Sequence, residues 1–107
     1  MKNLTKRQRD IARKIKSDME EVNTILDELA ESSACLITTI EEAQQNINEH
    51  GSLLIITGST GQTKYQENPA INTRDKAIKQ LNINARLLAP NKKSKDIVSE
   101  LGDFLKG

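Results

Sequence analysis

The side chains of this 107-residue sequence that could do chemistry are the seven bases among its first 17 residues. Four of them follow one another at steps of three and four residues: Lys6, Arg9, Arg13 and Lys16. On a helix this spacing places them along one ridge, where they could contact several phosphates of a nucleic acid together. Aromatic residues do not interleave them, so stacking on single-stranded bases is not expected. The candidate DNA-binding bases of this segment are Lys2, Lys6, Arg7, Arg9, Arg13, Lys14 and Lys16.

The charges are segregated along the chain, although the net charge is only +1. Residues 18–50 carry nine acids and no Lys or Arg, whereas residues 51–107 carry nine bases and five acids. Segregation of this kind indicates surfaces that face different partners. A second candidate DNA-binding cluster is formed by Lys92, Lys93 and Lys95. The alternative interpretation is that the N-terminal bases pair with acids of the middle block, such as Glu28, Glu31 or Glu42.

The remaining polar residues do not indicate an enzyme. The single histidine, His50, stands at a predicted helix end, and the single cysteine, Cys35, has no second thiol with which to form a disulfide. The turn from Gly58 to Gly61 is followed by Gln62 and not by the Gly-Lys-Ser/Thr of a phosphate-binding loop. The carboxylates are spread over a helix surface. We therefore expect no catalytic residue, no metal site and no cofactor.

The basic ridge requires a helix, and the sequence supplies signals for one. Thr5 is a suitable cap, although Asp10 comes too late to complete a capping box with it. A second, long helix is predicted to begin at Asn23 or Thr24, after a break near residues 18–23, and to end at Gly51.

Beyond Gly51 the pattern changes. Two short β-like runs, 53–57 and 62–66, flank the glycine-containing turn and predict a β-hairpin or an extended loop. Asn68 and Pro69 are typical of a helix start, and that helix should end at Pro90. A last helix is expected from about 94 to 105. The predicted fold is mainly α in one domain, 1–107: a long helical hairpin in 1–50, a β-hairpin or loop in 51–67, and a C-terminal helix pair in 68–107.

The long helix carries an apolar stripe that Ser33 interrupts. A helix of about 27 residues is roughly 40 Å long, which is more than the rest of a chain this size is expected to cover. We therefore predict that the stripe also forms an interface between copies of the chain, widened on one side by Ile25 and Ile37. The predicted interface residues are Val22, Leu26, Leu29, Leu36, Ile40, Ala43 and Ile47.

The order of a helix pair, a glycine-containing turn and a helix opened by Asn68-Pro69-Ala70 resembles one family of bacteriophage terminase small subunits. In that family the helix ends in a Leu-Gly-Leu-Thr-Pro-x-Ser-Arg-like stretch. The corresponding stretch here, 85–93, keeps a Leu and the Pro but lacks the Gly and Thr, and it has Lys where Arg would be expected. The resemblance covers roughly residues 4–95.

The resemblance implies a non-enzymatic protein that forms a homo-oligomeric ring and recognises viral double-stranded DNA. It also implies a partner, the terminase large subunit with its ATPase and nuclease, and a location in the host cytoplasm. No membrane is expected, since the longest apolar run, 53–56, is far shorter than a membrane span. A different class of protein remains as the alternative: a coiled-coil adaptor whose basic and acidic faces pair with each other.

Overall fold

The structure is a computed structural model that describes residues 3–21 and 23–91. The elements follow in the order α1 (Lys6–Ser17), α2 (Thr24–His50), β1 (Leu53–Thr57), β2 (Thr63–Glu67) and α3 (Pro69–Leu88), with a short 3-10 turn, Ala89–Asn91, after α3. A mainly helical chain with a two-stranded antiparallel hairpin was predicted, and this is confirmed. The helix expected at 94–105 lies outside the described residues.

A capping box starts α1, which corrects the expectation from the sequence. The Thr5 hydroxyl accepts a hydrogen bond from the Gln8 backbone N–H at 3.2 Å, and the Gln8 side chain accepts one from the Thr5 N–H at 2.9 Å. The residue that completes the box is therefore Gln8, three residues after the cap, where an amide can reach back as a carboxylate does. The later Asp10 has no part in it.

The first two helices pack antiparallel. A break was predicted between them, and α1 indeed ends at Ser17 before α2 begins at Thr24. Asn23 caps α2 by accepting a hydrogen bond from the Leu26 N–H at 2.9 Å. At its other end, α2 stops at Gly51, whose φ of +84° is a conformation that other residues rarely adopt.

The third helix runs back along α2 and returns the chain to its starting end. Asn68 caps α3, and its side-chain amide also donates to Asn46 and to the Gly51 carbonyl, both at 2.9 Å. Beyond the far end of α3, the Asn91 carbonyl accepts a hydrogen bond from the Glu20 N–H at 2.8 Å. The end of the described chain is thereby tied to the connection between α1 and α2.

The core lies between the three helices. Among the largest fully buried side chains are Ile11 and Ile15 of α1, Ile37 of α2 and Leu88 of α3. Burial of such side chains contributes about 1.5–3 kcal/mol each relative to leaving them in water. Because α1 has few other apolar residues, its docking on α2 depends mainly on its two isoleucines.

The apolar stripe of α2 is divided between the core and the surface. Leu26, Ile40 and Ala43 are buried by the chain's own helices, while Leu29 and Leu36 are half-buried. The remaining two predicted interface positions are Ile47, which is half-buried, and Val22, which lies outside the described residues.

The prediction that Ile25 and Ile37 widen one side of the stripe is wrong. Ile37 is fully buried, whereas Ile25 is 73% exposed. Twelve residues, at about 100° per residue, turn a helix by roughly 120° beyond whole turns, so the two side chains point in different directions.

The hairpin is exposed on both of its faces. The strands β1 and β2 pair antiparallel with Ile55 opposite Tyr65. Every residue of β2 is exposed, and so is every residue of β1 except the half-buried Leu54. Among the described residues, none of the helices has the length and apolar character that a membrane crossing needs.

Candidate nucleic-acid interface

The apolar residues of α1 determine where its bases point. Ile11, Ala12 and Ile15 are buried against the other helices, so the opposite side of α1 faces solvent. The bases Lys6, Arg9 and Arg13 all lie on that side and are exposed. We call these three residues the outer face of α1.

The fourth base of the predicted ridge, Lys16, is directed toward α2. Its ammonium group forms an ion pair with Asp27 and lies 3.6 Å from Glu31. The hydrogen bond to Asp27 raises the pKa of Lys16 above its ordinary value, against a smaller effect of burial in the other direction. The ridge of four bases is therefore divided, because the outer face of α1 ends at Arg13.

Arg7 is also engaged with the acidic helix. One of its guanidinium nitrogens donates to the Glu41 carboxylate at 2.9 Å, across the contact between α1 and α2. The antiparallel pairing of basic and acidic blocks that the alternative interpretation required is thus present for two bases. Glu31, one of the acids named for that pairing, lies beside Lys16, and the partners Asp27 and Glu41 were not predicted.

Among the described residues, the contacts of the outer face of α1 are weak and local. Arg9 donates to the Leu4 carbonyl at 3.0 Å, and the Arg13 guanidinium lies 3.6 Å from the Asp10 carboxylate. The Arg13 side chain is still 76% exposed. Exposed pairs of this kind are worth about 0–1 kcal/mol, so a phosphate could replace them at little cost. Lys14 is exposed as well, beside this face.

Lys2, Lys92, Lys93 and Lys95 lie outside the described residues. The carbonyl of Asn91, which precedes the second basic cluster in sequence, is bonded to Glu20 near the end of α1.

The turn of the hairpin has the contacts of a connector. The Gly58 N–H donates to the Gln62 carbonyl at 2.8 Å, and the Gly61 N–H donates to the Gly58 carbonyl at 3.0 Å. These N–H groups are used within the turn, whereas a phosphate-binding loop directs such groups at its ligand.

The other candidate reactive groups are separated from one another. Burial raises the pKa of the half-buried Cys35 thiol, which disfavours the thiolate that would react. His50 is exposed at the end of α2. In the ranges 3–21 and 23–91, no three His, Cys, Asp or Glu residues are grouped so that they could hold a metal ion.

Two polar contacts that hold the helices in register were not predicted. The buried Asn84 of α3 donates to the Ser33 hydroxyl of α2 at 3.3 Å, and Gln8 of α1 donates to the Thr38 hydroxyl at 2.9 Å. The interruption of the apolar stripe at Ser33 was a signal for the contact with Asn84, because a small polar residue in a buried stripe requires a hydrogen-bond partner.

A scan against protein-family models finds no match for the chain, and searches of curated proteins and of solved structures find none either. The resemblance to terminase small subunits therefore remains a prediction from the residues that carry it.

Proposed function

We propose that this protein is a non-catalytic DNA-binding subunit that contacts the phosphates of duplex DNA through the outer face of α1. The observation that carries the proposal is the arrangement of Lys6, Arg9 and Arg13. The three bases share one solvent-exposed side of a helix whose opposite side is buried. Lysine and arginine on one helix side can neutralise several phosphates of one backbone together.

Binding of this kind holds DNA without reading its sequence, because phosphate contacts carry no base information directly. The second set of contacts would come from Lys92, Lys93 and Lys95. Within the class of DNA-binding proteins, we propose the role that the sequence resemblance implies. The protein would bind viral double-stranded DNA in the host cytoplasm and deliver it to the large ATPase and nuclease subunit of a terminase.

Assembly into a homo-oligomer is part of the proposal. The α2 positions left partly uncovered by α1 and α3, among them Leu29, Leu36 and Ile47, offer an apolar surface to a second copy. In the ring that the resemblance implies, this contact would repeat from one subunit to the next. Repetition would also present the outer face of α1 several times, which strengthens binding to one DNA molecule.

A second function is favoured by a specific observation, the ion pairs between α1 and α2. Arg7 binds Glu41 and Lys16 binds Asp27, as expected of an adaptor whose basic and acidic faces satisfy each other. These pairs leave the outer face of α1 unexplained, and for that reason we place DNA binding first.

Salt dependence separates the two functions. Fluorescence anisotropy would measure the affinity of the full chain for two unrelated duplexes between about 50 and 200 mM salt. Each phosphate contact contributes a slope of about −0.9 in log affinity against log salt, so three contacts give about −3. The DNA-binding proposal predicts similar slopes on both duplexes. An adaptor would give no measurable affinity even at the lowest salt concentration.

A further inference from the structure

The β-hairpin holds four of the seven large apolar side chains that are exposed in the described part of the chain, and neither DNA binding nor the α2 surface accounts for them. Leu53, Ile55 and Tyr65 are 60%, 67% and 71% exposed, and Ile56 on the other face is 42% exposed. An isolated two-stranded hairpin is at best marginally stable in water. Exposed apolar side chains on such a hairpin indicate a partner.

The two strands differ sharply in composition. The strand β1, Leu53–Thr57, has no charged residue, no proline and no bulge, whereas β2 carries Lys64 and Glu67. Charged residues are the usual protection of an outer edge, and an uncharged apolar strand is usual inside a sheet. The composition therefore indicates that the outer edge of β1 is covered and that β2 stays at the outside.

The hydrogen-bond pattern shows which groups that outer edge offers. At the two ends of the hairpin, Asn68 donates to Ser52 and Gly58 donates to Gln62, each at 2.8 Å. Hydrogen-bonded pairs alternate along an antiparallel ladder. The N–H and C=O groups that point away from β2 are therefore those of Leu53, Ile55 and Thr57.

The geometry points to a second copy of this chain as the partner, with β1 paired antiparallel to β1 of the other copy and Ile55 on the two-fold axis. In this register Leu53 lies opposite the other copy's Thr57, and Ile55 lies opposite itself. The three outward N–H groups of each strand all meet outward C=O groups, so no donor or acceptor of the two edges is left unpaired. The result is one four-stranded sheet.

The charges agree with this arrangement. The two uncharged β1 strands take the centre of the sheet, and the strands with Lys64 and Glu67 take its two edges. Leu54 and Ile56 lie opposite each other across the new contact, as an apolar cross-strand pair. The contact is isologous and closes with two copies, in contrast to the repeating contact of a ring. It goes beyond the proposed function, since neither the outer face of α1 nor the α2 surface takes part.

Cysteine cross-linking tests this register. The background is the full chain with Cys35→Ser, so that the introduced thiol is the single one. A hydrogen-bonded antiparallel pair has Cα atoms about 5.5 Å apart, within the range of a disulfide. Ile55→Cys should therefore give a covalent dimer as the main product of mild oxidation. Ile56→Cys is the matched control, because its own counterpart lies diagonally, about 7–8 Å away.

A mixture of two variants fixes the strand that β1 meets. Leu54→Cys mixed with Ile56→Cys should form the mixed dimer, which is the outcome that the proposed register requires. A mixed dimer of Ile55→Cys with Tyr65→Cys, in excess of the Ile55→Cys homodimer, would mean that β1 meets β2 of the other copy and would overturn the inference. The inference would also be overturned if Ile55→Cys gave no more covalent dimer than Ile56→Cys. Disruption of the α2 interface would leave these outcomes unchanged, so a failure here and a failure of the proposed ring are distinguishable.

Discussion

The hydroxyl of Ser33 joins two helices at the centre of the molecule. It donates to the Leu29 carbonyl at 2.7 Å and accepts from the Asn84 amide at 3.3 Å, while Gln80 donates to the Asn84 side-chain oxygen at 3.1 Å. Ser33 and Asn84 are 0% and 3% exposed. A polar group this deeply buried is costly unless it is paired, so the contact favours one alignment of α3 on α2 over shifted alignments.

The first prediction concerns that buried amide. Asn84→Asp removes the N–H donor to Ser33 and buries a negative charge, which should cost about 3 kcal/mol in the free energy of unfolding at pH 7. Burial would raise the pKa of the new carboxyl, so the deficit relative to the wild type should shrink as the pH falls and the group becomes neutral. Denaturant unfolding of the wild type and of Asn84→Asp at pH 7 and pH 4.5 measures this difference in the free energy of unfolding.

Asn82→Asp is the matched control, because Asn82 is exposed on the same helix. It should change the free energy of unfolding by no more than about 0.5 kcal/mol. Equal effects of the two substitutions would show that the Ser33–Asn84 contact is not the buried pair described.

The ion pair of Lys16 leads to a second prediction, on pH dependence. Its pKa is raised in the folded protein. The stability that Lys16 contributes is therefore fully present below the ordinary lysine pKa of about 10.4 and is lost as the pH rises through the raised value.

Thermal unfolding of the wild type and of Lys16→Gln at pH 8 and pH 11 is the measurement. The wild type should melt higher at pH 8, and the difference should shrink at pH 11. Lys79→Gln, at an exposed position of α3, is the control and should differ little from the wild type at either pH. A difference for Lys16→Gln that stays constant between the two pH values would contradict the role given to the charge.

At the scale of elements, local signals predicted where the helices begin and end. Asn23, Asn68 and Pro69 are cap and first-turn residues, and Gly51 takes the positive φ that a helix end often needs. Each of these acts within a few residues of its own position, so one sequence is enough to find it. The capping role of Gln8 was not predicted, although an amide three residues after the cap can complete a capping box as a carboxylate does.

Contacts between elements could not be predicted in the same way. The spacing of apolar residues on α2 gave a stripe but not the side on which α1 would dock. The pairing of Lys16 with Asp27 depends on how far α1 is shifted along α2, which is a tertiary property. For the candidate site, the sequence showed only which basic residues α1 carries and how they are spaced. The packing of Ile11 and Ile15 was needed to separate the outward bases from the paired ones.

The third prediction tests α2 as an interface. Ile25 lies beside the half-buried Leu29, in a surface depression that both side chains line. It is 73% exposed, so Ile25→Asp should leave the subunit folded and change its stability by no more than about 0.5 kcal/mol. If the uncovered side of α2 contacts a second copy, the same substitution buries a charge there and should lower the assembly mass in native mass spectrometry. Leu36→Asp, at a half-buried position, should lower the assembly mass more strongly, but it can also destabilise the subunit.

Gln45→Asp is the control for this series, since Gln45 is exposed on the same helix and outside the stripe. It should leave the mass of the assembly unchanged. An unchanged mass for Ile25→Asp and for Leu36→Asp as well would remove α2 from the interface.

At the scale of the whole molecule, the three surfaces have different properties. The outer face of α1 is basic, the uncovered side of α2 is apolar, and the hairpin pairs the uncharged apolar strand β1 with the polar strand β2. Since α1 is held by its buried isoleucines and by ion pairs at both ends, its outward bases are fixed in direction even without a ligand. Because the helix is already held in place, binding to DNA should cost conformational freedom mainly in the basic side chains and little in the backbone.

The most direct test of DNA binding is the salt dependence of affinity for Arg9→Gln combined with Arg13→Gln, measured on two unrelated duplexes. The matched control is Lys76→Gln with Lys79→Gln, which removes two exposed bases from α3. Removal of exposed charges should barely alter folding. If the outer face of α1 contacts DNA, the α1 variant should bind both duplexes more weakly. Its slope should be shallower by roughly two units, about 0.9 for each phosphate that the variant no longer neutralises. A line parallel to the wild type for the α1 variant would contradict this contact.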